Sequence, residues 1–274
     1  MRGLDRILAV VGELRRRLVR IALVHGPILG FLLTFQLRWL RVHEFGRTIW
    51  LVYPYPNLFY NVTAQVFRWL TAYLLPPGVT LLNVGVGDSI VAQFEIAILL
   101  ALVVGMPWIV HEVGAFLVPA LRRNERELIR RIGIPASVLF AIGFLAGLFL
   151  LTPLTFRFLF AYVSAMGLAP VLGVQAFVTF SLLYSLAFGI VFELPVFIYT
   201  LTRLGLVPAK SWRQHWRAAI IGSLFFGMVV TPDNSGVTML LIATPMVGLY
   251  LGGTWFAGRW ESKREPRPAL AGGA

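Results

Sequence analysis

Residues Asp88–Pro119 read DSIVAQFEIAILLALVVGMPWIVHEVGAFLVP. Among these 32 positions only Asp88, Glu95, His111 and Glu112 can carry a charge. About 20 apolar residues suffice to carry a helix across the hydrocarbon of a bilayer. Lipid offers no water to backbone groups, so only helices and closed barrels satisfy them. The apolar run does not alternate, which excludes barrel strands. The same texture recurs at Leu18–Leu37, Ile132–Phe156, Gln175–Leu204, Ala218–Val230 and Val237–Ala257. Only 13% of the chain is charged, against about 25% in soluble domains, so too little polar surface exists to cover a water-soluble globule. The expected fold is all-α: a polytopic membrane protein with six transmembrane helices.

Charge sets the expected orientation. Of 24 Lys and Arg, nineteen fall in four places: the N-terminus through Arg20, the loop 121–131, the segment 203–217 and the tail from Arg259. Only Arg38, Arg41, Arg47, Arg68 and Arg157 fall on the other side. Basic loops stay cytoplasmic, so both termini are expected there, in a multi-pass protein of the cell membrane. This asymmetry accounts for most of the net charge of +12, and no nucleic-acid partner is implied. Cysteine is absent, which removes disulfides and thiolate chemistry.

The domain reading follows. Residues 1–17 carry Leu4, Ile7, Leu8, Val11 and Leu14 at helical spacing, an amphipathic helix at the cytoplasmic interface. The apolar run after Arg15-Arg16-Arg17 exceeds a signal-peptide core of about 7–15 residues and reads as a retained span. Residues 18–258 form the six-helix domain. Within it, 38–87, rich in aromatics and proline around Tyr53-Pro54-Tyr55-Pro56, is expected as an irregular, ordered outer cap. Asn61-Val62-Thr63 fits a glycosylation sequon. The last two spans look short, and 259–274 is expected as a disordered cytoplasmic tail.

Acids inside an apolar chain need an explanation, because a buried charge is expensive in lipid. Glu193 lies well inside the fourth span, two residues before Pro195. Proline has no N–H, so the Val191 carbonyl loses its helical partner and a kink with a polar spot is expected. Either Glu193 contacts a ligand or it is a hydrogen-bonded acid joining two helices. Glu95, Gln93, His111 and Glu112 read as helix-packing or snorkelling groups. Asp233 follows Thr231-Pro232 in an outer turn, where capping is the ordinary role. Glu13 and Glu125 lie on the arginine-rich side. Each can offer a carboxylate to a ligand guanidinium, or pair with arginines beside it, as Glu13 can with Arg16 and Arg17.

Enzyme signatures are missing. There is no phosphate loop and no G-x-S-x-G, and His111-Glu112 lacks the second histidine of a zinc-protease helix. Gly85-Val86-Gly87-Asp88 lacks a second mid-membrane aspartate to share a proton, so Asp88 reads as a helix cap. No cofactor is called for.

The order of short motifs resembles the TatC family, the polytopic core of the twin-arginine protein translocase. Glu13-Leu14-Arg15-Arg16-Arg17-Leu18 is similar to its E-L-R-x-R-L. Ala115-Phe116-Leu117-Val118-Pro119-Ala120-Leu121 with Asn124-Glu125-Arg126 is similar to its first cytoplasmic loop. Phe188–Val196 resembles F-G-x-x-F-E-x-P-V, and Thr231-Pro232-Asp233 with Pro245-Met246 and Leu249-Tyr250 resembles the family ending. The chain departs from the pattern at Gly12, which precedes E-L-R without the usual histidine, and at Glu95, where many members are basic. It departs also at Pro232, a single proline before the aspartate, and at Leu251 in place of a Glu.

The resemblance implies a six-helix cupped fold and a receptor for the twin-arginine signal peptides of folded cargo. It implies TatA-type and possibly TatB-type partners, and transport driven by the proton-motive force. Glu13 and Glu125 would recognise the arginine pair, with Arg15, Arg17, Phe116 and Arg126 around them. Glu193, Pro195 and Glu95 would form an intramembrane polar site or partner contact. Asp233 and Pro54 would form an outer-turn site. One chain of six helices cannot enclose a pore for folded cargo, so a homo-oligomer is expected. The alternative is a small-molecule secondary transporter, but such folds show internal repeats and the sequence has none.

Overall fold

The computed structural model describes residues 2–44, 47–117, 123–230 and 236–262. Helix α1 (Arg2–Thr34) leads into a hairpin of β1 (Phe35–Glu44) and β2 (Arg47–Pro56). Then come α2 (Val62–Leu74), β3 (Thr80–Leu82), α3 (Asp88–Leu117) and α4 (Arg123–Ala146). A π-helical turn, Gly147–Leu151, joins α4 to α5 (Thr152–Ala165). Next are β4 (Val171–Gly173), α6 (Val174–Phe192), α7 (Leu194–Arg203), α8 (Ala209–Gln214), α9 (Trp216–Val230) and α10 (Gly236–Ser262).

Five stretches are long and apolar enough to cross a membrane: Val10–Thr34, Asp88–Phe116, Arg126–Ala165, Val174–Arg203 and Gly236–Ser262. Trp216–Val230 is a shorter apolar helix. This is the expected all-α polytopic architecture. Two details differ from the sequence reading. The sixth helix is not short: α10 has 27 residues and continues through the polar Arg259–Ser262, beyond the apolar window. The third runs on through Arg157 to Ala165, with a π turn within it where the Thr152 hydroxyl bonds the Gly147 carbonyl at 2.9 Å.

Residues 38–87 are more regular than expected. Strands β1 and β2 pair antiparallel from Phe35↔Pro56 to Glu44↔Arg47. Pro54, which cannot donate to a ladder, is tolerated because a two-stranded ribbon consists of edges. Asn61 is not a free sequon. It is 1% exposed, and its amide donates to Leu33 O, Leu58 O and Gln93 Oε1 at 2.9–3.0 Å. Its Oδ1 caps α2 through the Ala64 N–H. A side chain with every polar atom engaged has no nitrogen left for a glycan.

The chain divides into two compact units, Met1–Ala120 with Leu145–Ser185, and Leu121–Phe144 with Leu186–Ala274. In the first, Phe156 stacks on Phe177 at 5.7 Å, Phe67 meets Phe177 edge-on, and the Thr155 hydroxyl donates to Tyr184 Oη at 3.2 Å. The half-buried His25 ring lies against Gly105, its Nδ1 donating to Ile21 O at 2.7 Å. In the second, glycines let helices touch: α4 meets α6 at Gly143 against Phe188 and Phe192, and Gly253 of α10 packs on Pro195. Without a hydrophobic force between helices in lipid, such close approach supplies the packing energy. A Cβ at Gly143 would lie 2.6 Å from Phe192 Cβ and 2.7 Å from the Phe188 carbonyl oxygen. Gly143→Ala therefore lowers stability by about 1–3 kcal/mol. Gly222→Ala, inside α9 and meeting nothing within 4 Å, leaves it the same or raises it by up to about 1 kcal/mol. Thermal unfolding of the two purified variants checks this.

Candidate functional site

Glu112 lies five residues before the end of α3 and is 3% exposed. A buried carboxylate needs a cation and further hydrogen bonds to offset its desolvation. Arg17, on the α1 face packed against α3, supplies them. Its Nη1 donates to Glu112 Oε2 at 3.0 Å and to the Glu112 carbonyl at 3.4 Å. Its Nη2 donates to the Ala115 carbonyl at 2.9 Å. Nη2 and Nε both reach Glu13 Oε1, at 2.6 and 3.1 Å, one helical turn earlier. All five guanidinium N–H groups are thus used. Arg20 Nη1 approaches Glu112 Oε1 at 3.7 Å from the exposed side.

The sequence left open whether Glu13 pairs with Arg16 or Arg17, or stays free for a ligand. It pairs with Arg17, but through one oxygen only. Glu13 Oε2 accepts no hydrogen bond among the described residues, and the side chain is 33% exposed. Two arginines and two glutamates balance in the cluster. Because Glu112 answers the charge of Arg17, Glu13 is not neutralised by Arg17 alone and keeps an open acceptor. Glu112 is the member that the sequence reading assigned to packing. The legible signal was a carboxylate near the end of a span, on the side where Arg15, Arg16, Arg17 and Arg20 cluster.

The remaining candidates are placed as follows. Arg15 is exposed, without an ion pair among the described residues, and Phe116 is half-buried near the end of α3. Arg126 is exposed on α4. Glu125 belongs to the first turn of α4, its side chain outside what the structure describes, and Asp233 lies outside the described residues. Pro54 is exposed on β2. The Glu95 carboxylate of α3 accepts the Thr179 hydroxyl of α6 at 2.8 and 3.0 Å.

Glu193 sits where α6 ends and α7 begins, with Pro195 in the first turn of α7. The backbone tightens there, Glu193 N–H bonding Ile190 O at 3.0 Å. The carboxyl lies near the backbone of Phe140, and its Oε1 is buried with no hydrogen-bond partner among the described residues. The carboxyl thus has a backbone hydrogen-bonding neighbour, Phe140 of α4, on one side and an unpartnered Oε1 on the other.

These features define a multi-pass helical membrane protein that carries a fixed, partly open carboxylate beside a buried ion-pair cluster. The family model described as "Sec-independent protein translocase protein (TatC)" matches residues 9–245. The TatC protein of Cenarchaeum symbiosum (strain A) is 39% identical over 253 residues, 92% of this chain and 94% of its own. That of Escherichia coli (strain K12) is 28% identical over 217 residues, 79% and 81% of the two chains. A crystal structure described as "Twin Arginine Translocase Receptor- TatC" shares the fold, with a TM-score of 0.71, 24% identity, and coverage of 93% of this chain and 100% of that one. The chain belongs to the TatC family of Sec-independent protein translocase proteins: a transport component, not an enzyme.

The ion pairs predict unequal effects on stability. Glu112→Ala leaves Arg17 without its buried partner and lowers the thermal unfolding midpoint by several degrees, while Arg20→Gln, removing a 3.7 Å contact of an exposed arginine, shifts it by about 1 °C or less. Differential scanning fluorimetry of both proteins in detergent checks this.

Proposed function

We propose that this chain is the receptor of a twin-arginine translocase in the cell membrane, with both termini cytoplasmic. It binds the signal peptides of folded cargo on its arginine-rich side. With TatA-type subunits, and a TatB-type subunit where one exists, it exports the cargo using the proton-motive force. The observation that carries this reading is Glu13: a carboxylate held in place by Arg17, with Oε2 open and one third of the side chain exposed. A planar guanidinium matches such an acceptor better than an ammonium does. Glu125 supplies the second carboxylate, with Arg15, Phe116 and Arg126 at the rim. Family membership and the sidedness of the basic loops support the same reading.

Glu193 and Pro195 serve as a contact for the apolar part of the signal peptide or for a partner helix. Self-association completes a passage that one chain is too small to form. The secondary-transporter reading gains no support.

Two experiments test this. A twin-arginine peptide binds the purified protein in nanodiscs. Replacing its arginine pair by Lys-Lys, or Glu13 or Glu125 by Ala, weakens binding by about tenfold or more, the effect of one lost charge-assisted bidentate contact. Equal affinity for both peptides removes the receptor assignment. Glu193→Leu replaces an unpartnered polar atom by a methyl group, so the unfolding midpoint holds or rises while export by reconstituted vesicles falls. Unimpaired export removes Glu193 from the site.

A further inference from the structure

A second charged feature lies in the unit formed by Leu121–Phe144 and Leu186–Ala274. Helices α8 and α10 enclose a groove of about 540 Å³ lined by Lys210, Arg213, Trp255, Gly258, Arg259 and Glu261, among others. Lys210 and Arg213 stand at i and i+3 on α8. On α10, Trp255, Gly258 and Arg259 share one face by the same periodicity. None of the three cations forms an ion pair among the described residues. Glu261, the acid in the groove, gives Oε2 to the Ala209 N–H at 3.0 Å.

Two of the cations, though exposed, lie against other groups of the protein. The Arg213 guanidinium lies directly over Gly258, where a Cβ would displace it. Arg259 stacks on the Trp255 ring, 4.0 Å from its centroid. Below them on α10, one turn at a time, come exposed Trp255 and exposed Leu251. The face thus runs from aliphatic to aromatic to cationic along the helix axis. A phospholipid has that order: acyl chain, glycerol region, phosphate. Aromatic side chains favour the bilayer interface, and basic groups between helices on the cytoplasmic side attract anionic headgroups.

We infer that the α8–α10 groove is a binding site for the headgroup of an anionic membrane phospholipid, with Arg213 and Arg259 on the phosphate, Lys210 adding charge, and Leu251 with Trp255 along an acyl chain. The groove carries a net charge of two positive units, counting Glu261, which favours an anionic lipid over a zwitterionic one. The bound lipid would tie α8, the short connection after α7, to α10.

The test is native mass spectrometry of the full chain in detergent, titrated with dioleoyl phosphatidylglycerol, dioleoyl phosphatidylcholine or inorganic phosphate. Phosphatidylglycerol binds saturably and phosphatidylcholine does not. Arg213→Gln and Arg259→Gln each weaken binding by roughly fivefold, the contribution of one cation near an anionic surface. Gly258→Ala keeps every charge but moves Arg213, and weakens binding too. Arg157→Gln, a cation elsewhere in the chain, does not. Binding that these groove variants leave intact overturns the site. Displacement of the lipid by inorganic phosphate alone overturns the lipid assignment. A second readout does not depend on the charge variants. Brominated-chain phosphatidylglycerol quenches a fluorescence component that Trp255→Phe removes, and quenching unaltered by that change counts against the site.

Discussion

In hydrocarbon a carboxylate has no water to turn to, and another part of the protein has to meet it. Glu112 is met by Arg17, and the placement of α1 follows from that pairing. Only 6% of the residues in the first span's most apolar window are buried. The half-buried side chains of α1, such as His25 against Gly105, therefore share the work of locating it with the polar contacts to α3. The guanidinium that crosses between them, bonded to Glu112 and to the Ala115 carbonyl, fixes depth and rotation together. Glu13, one turn before Arg17, inherits a defined position from the same contact.

Glu112 and Glu193 solve the problem of an acid in lipid in opposite ways. Glu112 is answered by a cation and becomes structural. Glu193 has a helix break, a proline and a buried oxygen that the described residues leave unanswered. Proteins keep such unfavourable groups where function needs them. Glu13 is intermediate, with one oxygen used for position and one left open. The proposed recognition of a cationic motif needs this division, because a carboxylate with both oxygens engaged would bind nothing more, and one with neither would have no fixed geometry.

The apolar runs made the spans legible, since length and composition alone decide whether a helix can cross a bilayer. The break at Glu193–Pro195 was legible because proline acts locally. The β1–β2 hairpin was not: its strands carry Pro54 and Pro56, which argue against a ladder, and only pairing over ten residues forms it. The polar tail of α10 was hidden for a related reason, since a helix that leaves the membrane loses its apolar signature without ending. At the candidate site, Glu13 showed as a carboxylate within an arginine run. The role of Glu112 did not, because its partner lies 95 residues away in the sequence. The burial of Asn61 depends on Leu33 and Gln93, which flank it from afar, and a triplet motif carries no trace of either.

Helix α1 is completed at two points by residues made after it. Midway along it Arg17 takes Glu112 of α3, and at its C-terminal end the Leu33 carbonyl takes a hydrogen from Asn61, the cap of α2, which also bonds Gln93 of α3. A ribosome makes α1 first, and the chain must grow by roughly four more spans' worth of residues before Glu112 exists. During that interval Arg17 has only Glu13 of its own helix, and α1 lacks its contacts with α3. Its final seating is then an event of biogenesis, timed by the synthesis of α3, and a chain stalled before Glu112 would hold α1 in the bilayer with its orientation about its own axis undecided.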